Sequence, residues 1–345
     1  MKFNIQDITR KNILALHPYS SARDEFTGVA SVFLDANENP FNAPYNRYPD
    51  PRQLDLKDQI GRIKGISAEN IFLGNGSDEP IDLLFRAFCE PGTDNVVSIA
   101  PTYGMYRVAA DINNIKFNEV LLNEDFTLDA SRVLSAVDVH TKLIFLCSPN
   151  NPTGNALDQK QILHIIENFN GLVILDEAYI DFCPEKTLLT SLKEHPNLVI
   201  LQTLSKAWGL AGIRLGMAFA SKNITDLLSK IKYPYNINLL TQHKSLEMLQ
   251  SSIAKENWVE TILAQKALLI KELSNLQNVL KIYPSDANFI LVKTTAAKKI
   301  YNALVEKQII VRDRSKVVLC GEALRITVGT AEENRLLIDA LKEIG

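Results

Sequence analysis

The sequence predicts an α/β protein: a mainly parallel, seven-stranded sheet between helices, followed by a smaller α+β unit. Seven short apolar runs, IFL, NVVSIA, KFNEVLL, KLIFLC, LVILDEA, LVILQT and LGMAFA, recur between Ile71 and Ala220. Stretches of helical periodicity separate most of them, which is the pattern of parallel strands buried on both faces. From about Tyr283 the order of elements changes, and at roughly 150 residues per domain a chain of 345 residues makes about two domains.

After the first run, Ile81, Leu84, Phe85 and Phe88 fall at i, i+3, i+4 and i+7, one apolar stripe of a helix. Ser77 and Asp78 start it, and Pro91-Gly92 stops it. Between about Asn223 and Gln277 the chain turns mostly helical, with Leu239, Leu246, Leu249, Trp258, Ile262, Leu268 and Leu269 as apolar stripes, so a long connecting helix is expected. A strand (NFILVK), a helix (KKIYNALVEKQ), two strands (IIVRD and LRITV) and a last helix (EENRLLIDALKEI) complete the smaller unit. The first ~40 residues precede the sheet and have no strand series of their own. Residues 41–245 are therefore expected as the large domain, with an N-terminal arm (1–40) and residues 246–345 in the small one.

Apolar residues make up 46% and charged residues 22%, enough for a full core. The formal net charge is −3 and neither sign collects in a block, which argues against a nucleic-acid or anionic-membrane surface. Lys2, Asp7, Arg10 and Lys11 break up the N-terminus before an apolar stretch can form, and no run approaches the ~18 apolar residues of a membrane span. Four scattered cysteines, Cys89, Cys147, Cys183 and Cys320, have neither CxxC nor Cys/His ligand spacing. No metal site is expected from them, and a reducing, cytoplasmic setting is.

Several polar residues each close a separate apolar run. IFLGNGSDE leads into Gly76, Ser77 and Asp78, where backbone N–H groups at a helix start could cradle a phosphate. KLIFLCSPNNPTG ends in Asn150 and Asn151, which alone would be an ordinary turn. LVILDEAYI puts Asp176 at the carboxyl end of a strand, where open α/β sheets bind ligands, although an aspartate there could equally cap a helix. TLSKAWGLAGIRLG supplies Thr203, Ser205, Lys206 and Arg214 around small residues, a loop able to hold a phosphate and present an amine; singly, its lysine would read as solvated.

Together these strings resemble the pyridoxal-phosphate aminotransferases of the aspartate-aminotransferase fold. GNGSDEPIDLLFRAFCEPG, PTYGMY, CSPNNPTG, DEAYIDF, TLSKAWGLAGIRLG and LRITVGT are similar above all to the histidinol-phosphate aminotransferases, from about Tyr19 to Gly329. The resemblance implies the fold-type-I architecture of pyridoxal-phosphate transferases, with pyridoxal 5'-phosphate as cofactor and Lys206 as its Schiff-base lysine. A lysine amine that must attack a carbonyl and move a proton needs a lowered pKa, and cationic neighbours such as Arg214 provide it. Asp176 would pair with the pyridine nitrogen, Asn151 and Tyr179 with the phenolic oxygen, and Tyr103 would stack on the ring. Gly76, Ser77, Asp78, Thr203, Ser205 and Arg214 would surround the phosphate, with Tyr48 of RYPDP arriving from a neighbouring subunit, so that a homodimer shares its sites.

The same resemblance implies amino transfer from L-glutamate to imidazole-acetol phosphate, giving histidinol phosphate and 2-oxoglutarate in histidine biosynthesis. Arg325 would take the donor's α-carboxylate or the substrate phosphate, since a guanidinium fork suits both. Arg312 and Tyr19 are further phosphate candidates, Arg314 competes with Arg312, and Asn37 would lie at the mouth. An aromatic aminotransferase and a threonine-phosphate decarboxylase are the alternatives on the same scaffold. A cofactor-sensing regulator lacks the basic helix-turn-helix it would need. Asn42, where the family often has glycine, and Cys320-Gly321-Glu322-Ala323 before LRIT depart from the pattern.

Overall fold

The computed structural model describes residues 3–344 apart from 22–24, 26–27 and 29. Lys2, cited above in the N-terminus, lies outside the described residues. All seven apolar runs become strands: β1 (Ile71–Asn75), β2 (Asn95–Ala100), β3 (Lys116–Leu121), β4 (Thr141–Cys147), β5 (Leu172–Asp176), β6 (Leu198–Thr203) and β7 (Leu215–Phe219). They form one sheet in the order β1-β7-β6-β5-β4-β2-β3. β7 runs antiparallel to both its neighbours and the remaining pairs are parallel.

Alternation along these strands divides the core between two faces. Val97, Ile144, Leu146, Val173, Leu175 and Ile200 fill one cluster, while Val96, Leu143, Phe145, Leu172, Ile174 and Val199 fill the other. Both sets are buried because helices cover both sides, so the strands read as continuous apolar runs. The helix Asp78–Phe88 presents Ile81, Leu84, Phe85 and Phe88 to the second cluster, as its period requires. From β2 the chain passes outward to β3; from β4 it continues the opposite way to β5 and β6. The order therefore reverses between β2 and β4, which opens a crevice at the strands' carboxyl ends.

A second, antiparallel sheet follows, ordered β10-β11-β9-β8, with β8 (Val279–Ile282), β9 (Phe289–Thr294), β10 (Arg312–Asp313) and β11 (Ala323–Thr327). The helices Ile253–Leu273, Ala297–Glu306 and Ala331–Ile344 pack on it through Leu269, Leu273, Ile300, Leu304, Leu337 and Leu341. The long helix expected between the units is Ile253–Leu273. β8 is not foreseen in the sequence, because this four-residue edge strand is interrupted by Lys281 and buries none of its side chains fully. IIVRD supplies only the two-residue β10.

The start of the arm packs on the large sheet's helices, not on the small sheet. Ile5 joins the cluster of Ile81 and Phe85, Arg10 pairs with Glu90 at 3.1 Å, and Lys230 Nζ donates to the Ile13 carbonyl at 2.8 Å. No described helix is long and apolar enough to cross a membrane.

Candidate active site

A cleft of about 1010 Å³ opens at the carboxyl ends of the large sheet and is walled on its far side by β10 and β11. Gly76, Ser77 and Asp78 reach it from the turn after β1, Tyr103 after β2, Asn151 after β4, Asp176 from the last position of β5 and Tyr179 from the turn after it. Thr203, Ser205, Lys206 and Arg214 come from β6 and the loop beyond it, and Arg312 and Arg325 come from the second sheet. Thirteen residues expected from separate stretches of sequence thus meet in one cavity.

At one end lies an anion cradle. The first-turn amides of the helix Asp78–Phe88 have no intrahelical acceptor, and its dipole favours negative charge. Gly76 has φ 68°, and a Cβ there would meet Arg214 Nη2 at 2.5 Å. Arg214 itself is in the left-handed region, φ 57°, with its carbonyl accepting from Gly76 N–H at 2.8 Å. Thr203 Oγ1 donates to Ser205 Oγ at 2.9 Å and accepts from Ser205 N–H at 3.1 Å, which fixes the hydroxyl side.

Asp176 sits at the centre, 3% exposed, and does not cap an α-helix. Its Oδ1 accepts from Ala178 N–H at 3.0 Å and its Oδ2 from the Tyr106 hydroxyl at 2.6 Å. Burial pushes its carboxyl up, against those two hydrogen bonds. The adjacent Glu177 serves the scaffold: it accepts from Leu188 N–H, Thr187 and Gln202 at 2.7 to 2.9 Å, and burial pushes it up to about 7. Lys206 Nζ lies 5.4 Å from the Tyr179 ring centroid. Burial lowers its proton affinity and the charge of Arg325 lowers it further, with Arg214 adding to that effect and Asp176 and Asp78 opposing it.

On the opposite wall Arg325 Nη1 donates to Asn151 Oδ1 at 2.5 Å, and the guanidinium lies 5.2 Å from the Phe289 ring centroid. Arg312 pairs with Arg325 across β10 and β11. Arg314, the competitor in the sequence, also lines the cleft. The Nε atoms of Arg314 and Arg325 are buried without an acceptor, a costly arrangement for a donor.

Tyr19, Asn37 and Tyr48 lie outside the cleft of their own chain. Tyr19 borders a separate pocket with Lys57 and Lys232, and Asn37 is exposed. Tyr48 stacks on Tyr235 at 4.4 Å between centroids and is 52% exposed. Glu38 holds a strap of residues 30–48 on the outside by accepting from Arg47 Nη1 at 2.6 Å and Tyr48 N–H at 2.7 Å. Asn42 takes φ 69°, a conformation that glycine adopts freely and asparagine tolerates. Around the departure Cys320-Gly321-Glu322-Ala323 the strand pairs with Arg325 opposite Leu291, and Arg314 N–H donates to the Ala323 carbonyl. Tyr106 is the contact that residue-by-residue reading misses: PTYGMY contains it, but nothing in its spacing separates it from a core tyrosine.

The aminotransferase class I and II family profile matches residues 25–341. The chain belongs to that family. Among aminotransferases of known sequence, a histidinol-phosphate aminotransferase of Bacteroides fragilis (strain YCH46) is 57% identical over 340 residues, covering 98% of this chain and 99% of the relative. The crystal structure of histidinol-phosphate aminotransferase from Clostridium acetobutylicum has a TM-score of 0.81 at 23% identity, over 87% of this chain and 91% of that one. That of the Sinorhizobium meliloti enzyme, in complex with pyridoxal-5'-phosphate, has a TM-score of 0.80 at 24% identity, over 86% and 83%. These two aminotransferase structures share the fold: the fold-type-I arrangement of a mostly parallel sheet between helices.

Proposed function

We propose that the chain transfers an amino group between L-glutamate and imidazole-acetol phosphate, giving histidinol phosphate and 2-oxoglutarate, with pyridoxal 5'-phosphate as cofactor. Relatives 57% identical over nearly the whole chain support the reaction. The observation that carries it is a lysine amine of lowered proton affinity, set in one cleft with the buried Asp176 carboxylate and the half-buried Arg314 and Arg325.

The residues present fit the cofactor. A phosphate matches the Gly76 cradle, which a Cβ would crowd, together with the Ser77 and Asp78 amides and the side chains of Thr203, Ser205 and Arg214. Asp176, buried with two donors but no cation bonded to it, suits a protonated ring nitrogen. Asn151 and Tyr179 would take the phenolic oxygen and Tyr103 the ring face. When bound, the cofactor supplies an electron sink for the pair released at the substrate's Cα. Lys206 then holds and returns the Cα proton, a role for which an amine of lowered proton affinity is suited. Arg325 orients the donor carboxylate, while Arg312 and Arg314 receive a phosphate on the same wall.

The proposed division is a large domain of residues 41–245 carrying the cradle and Lys206, and a small domain including 246–345 carrying the arginines. The proposed assembly is a cytoplasmic homodimer. Val32, Leu34, Phe41 and Tyr45 expose 63–91% of their surface along the strap, an apolar face that a second copy would cover. Tyr48 and Asn37 on that strap, and Tyr19 before it, are then available to the partner's cleft.

Borohydride reduction of the cofactor-loaded protein followed by peptide mapping should mark Lys206 alone. Lys206→Ala should lose the visible absorption of bound cofactor and at least ~10³-fold of glutamate-dependent turnover. A label elsewhere, or full turnover in the variant, overturns the assignment. Faster reaction with phenylalanine or tyrosine than with histidinol phosphate would overturn the substrate while leaving the chemistry.

A further inference from the structure

We infer that Tyr106 is a positioning residue whose hydroxyl fixes the tilt of the Asp176 carboxylate and favours its anionic form. The inference rests on the proposed function in one respect: it is Asp176 that faces the ring nitrogen.

Tyr106 has no exposed surface. Its ring is stacked on Phe145 with centroids 4.9 Å apart and meets Tyr103 edge-on at 5.5 Å, so the hydroxyl has little freedom to leave Asp176. The 2.6 Å bond to Oδ2 and the 3.0 Å bond from Ala178 N–H to Oδ1 hold the two oxygens from different elements, which sets the plane of the carboxylate. A short O–H···O⁻ bond strengthens as the acceptor becomes charged, whereas burial disfavours that charge.

One short motif serves two acids. In PTYGMY, Tyr103 donates to Asp78 Oδ1 at 3.1 Å and Tyr106, three residues on, donates to Asp176. The charge of Asp78 raises the cost of ionising Asp176, and the Tyr106 hydroxyl lowers it. The other titratable groups facing Asp176 are the Cys147 thiol, the Tyr179 hydroxyl and the Lys206 amine. Burial pushes Cys147 and Tyr179 upward, so neither adds a charge beside Asp176, and the Cys147 thiol donates to the Pro149 carbonyl at 3.4 Å rather than to the carboxylate. Without that donor Asp176 would keep its own proton to higher pH, and less of it would be anionic to hold a proton on a ring nitrogen.

The test measures the titration of Asp176 in cofactor-free protein by the infrared or NMR signal of its labelled carboxyl carbon, with Asp176→Asn identifying the signal. Tyr106→Phe should move the titration to higher pH. Fluorotyrosine at position 106 keeps ring and hydroxyl but donates more strongly, so it should move the titration to lower pH, a change of opposite sign that loss of packing cannot produce. In the loaded enzyme Tyr106→Phe should lower kcat by about tenfold or more, the scale on which partners of a liganding group act, while KM for glutamate stays within about twofold. An unmoved titration, or shifts of the same sign in both variants, overturns the inference. If Tyr106→Phe does not fold, the fluorotyrosine protein decides alone. Failure of the functional reading shows separately, as borohydride labelling that misses Lys206 in the wild-type protein.

Discussion

Burial raises the proton affinity of the Asp176 carboxyl even with hydrogen bonds from Tyr106 and Ala178 N–H opposing it, so the folded chain holds that proton more tightly than the unfolded chain does. Its contribution to stability is therefore complete below the ordinary aspartate pKa and is lost as pH rises through the higher folded value. Asp176→Asn removes this loss, and Tyr106 can turn its hydroxyl to accept from the new amide. Cofactor-free Asp176→Asn should thus melt about 2 °C above wild type at neutral pH, with the difference vanishing toward acid. Its turnover should fall roughly 10²–10³-fold, the scale of one lost preorganised charge. Melting scans across pH check the first half, and a variant that melts lower at every pH would refute it. Asp176 is legible in the sequence because a charge ending the run LVIL demands an explanation. Tyr106 is not, since a buried phenol with a partner and one without look alike until the fold brings β5 beside it.

Two glycines set the distance between β7 and the phosphate cradle. A Cβ at Gly216 would stand 2.2 Å from the Gly76 carbonyl carbon and 2.3 Å from Ser77 N, where backbone must move and no flexible side chain can yield. Gly216→Ala should therefore cost about 1–3 kcal/mol of stability by overpacking and weaken cofactor binding by at least about tenfold, because the displaced atoms are the cradle itself. Gly76→Ala meets only the tip of Arg214, so it should fold more readily and lose mainly affinity, with its φ of 68° adding about 1–2 kcal/mol of strain. Equilibrium unfolding and cofactor titration of both variants separate the two effects. Equal affinity losses with no difference in stability would count against the contact argument. The strand-turn-helix around Gly76 is readable from sequence because a two-sided buried strand and a one-sided helix have different apolar periods. Edge elements such as β8 and β10 lack that signal, since solvent on one side admits Lys281 and Arg312 alike.

At the scale of the molecule, the cleft holds the residues expected from the strand ends but none from the strap: Tyr48 is turned to Tyr235 on the outer surface. A single chain can show which groups its own fold brings together, and sequence periodicity speaks to that fold; which surface a second copy would cover has no periodic signature, and the exposed Val32, Leu34, Phe41 and Tyr45 are the surface proposed for it. The proposed sharing of sites makes a prediction that separates the two possible owners of Tyr48. Lys206→Ala and Tyr48→Phe chains, each weak as homodimers, are mixed to form heterodimers. If Tyr48 serves the partner, one site of each heterodimer collects both lesions and the other pairs an intact Lys206 with an intact Tyr48. Purified heterodimer should then regain about half the wild-type turnover, as expected where independent sites contribute additively. If Tyr48 serves its own chain, each site keeps one lesion and the mixture stays as weak as its parents. A mixture that never exchanges subunits, together with a monomer mass for the active wild-type enzyme, would remove the dimer from the proposal.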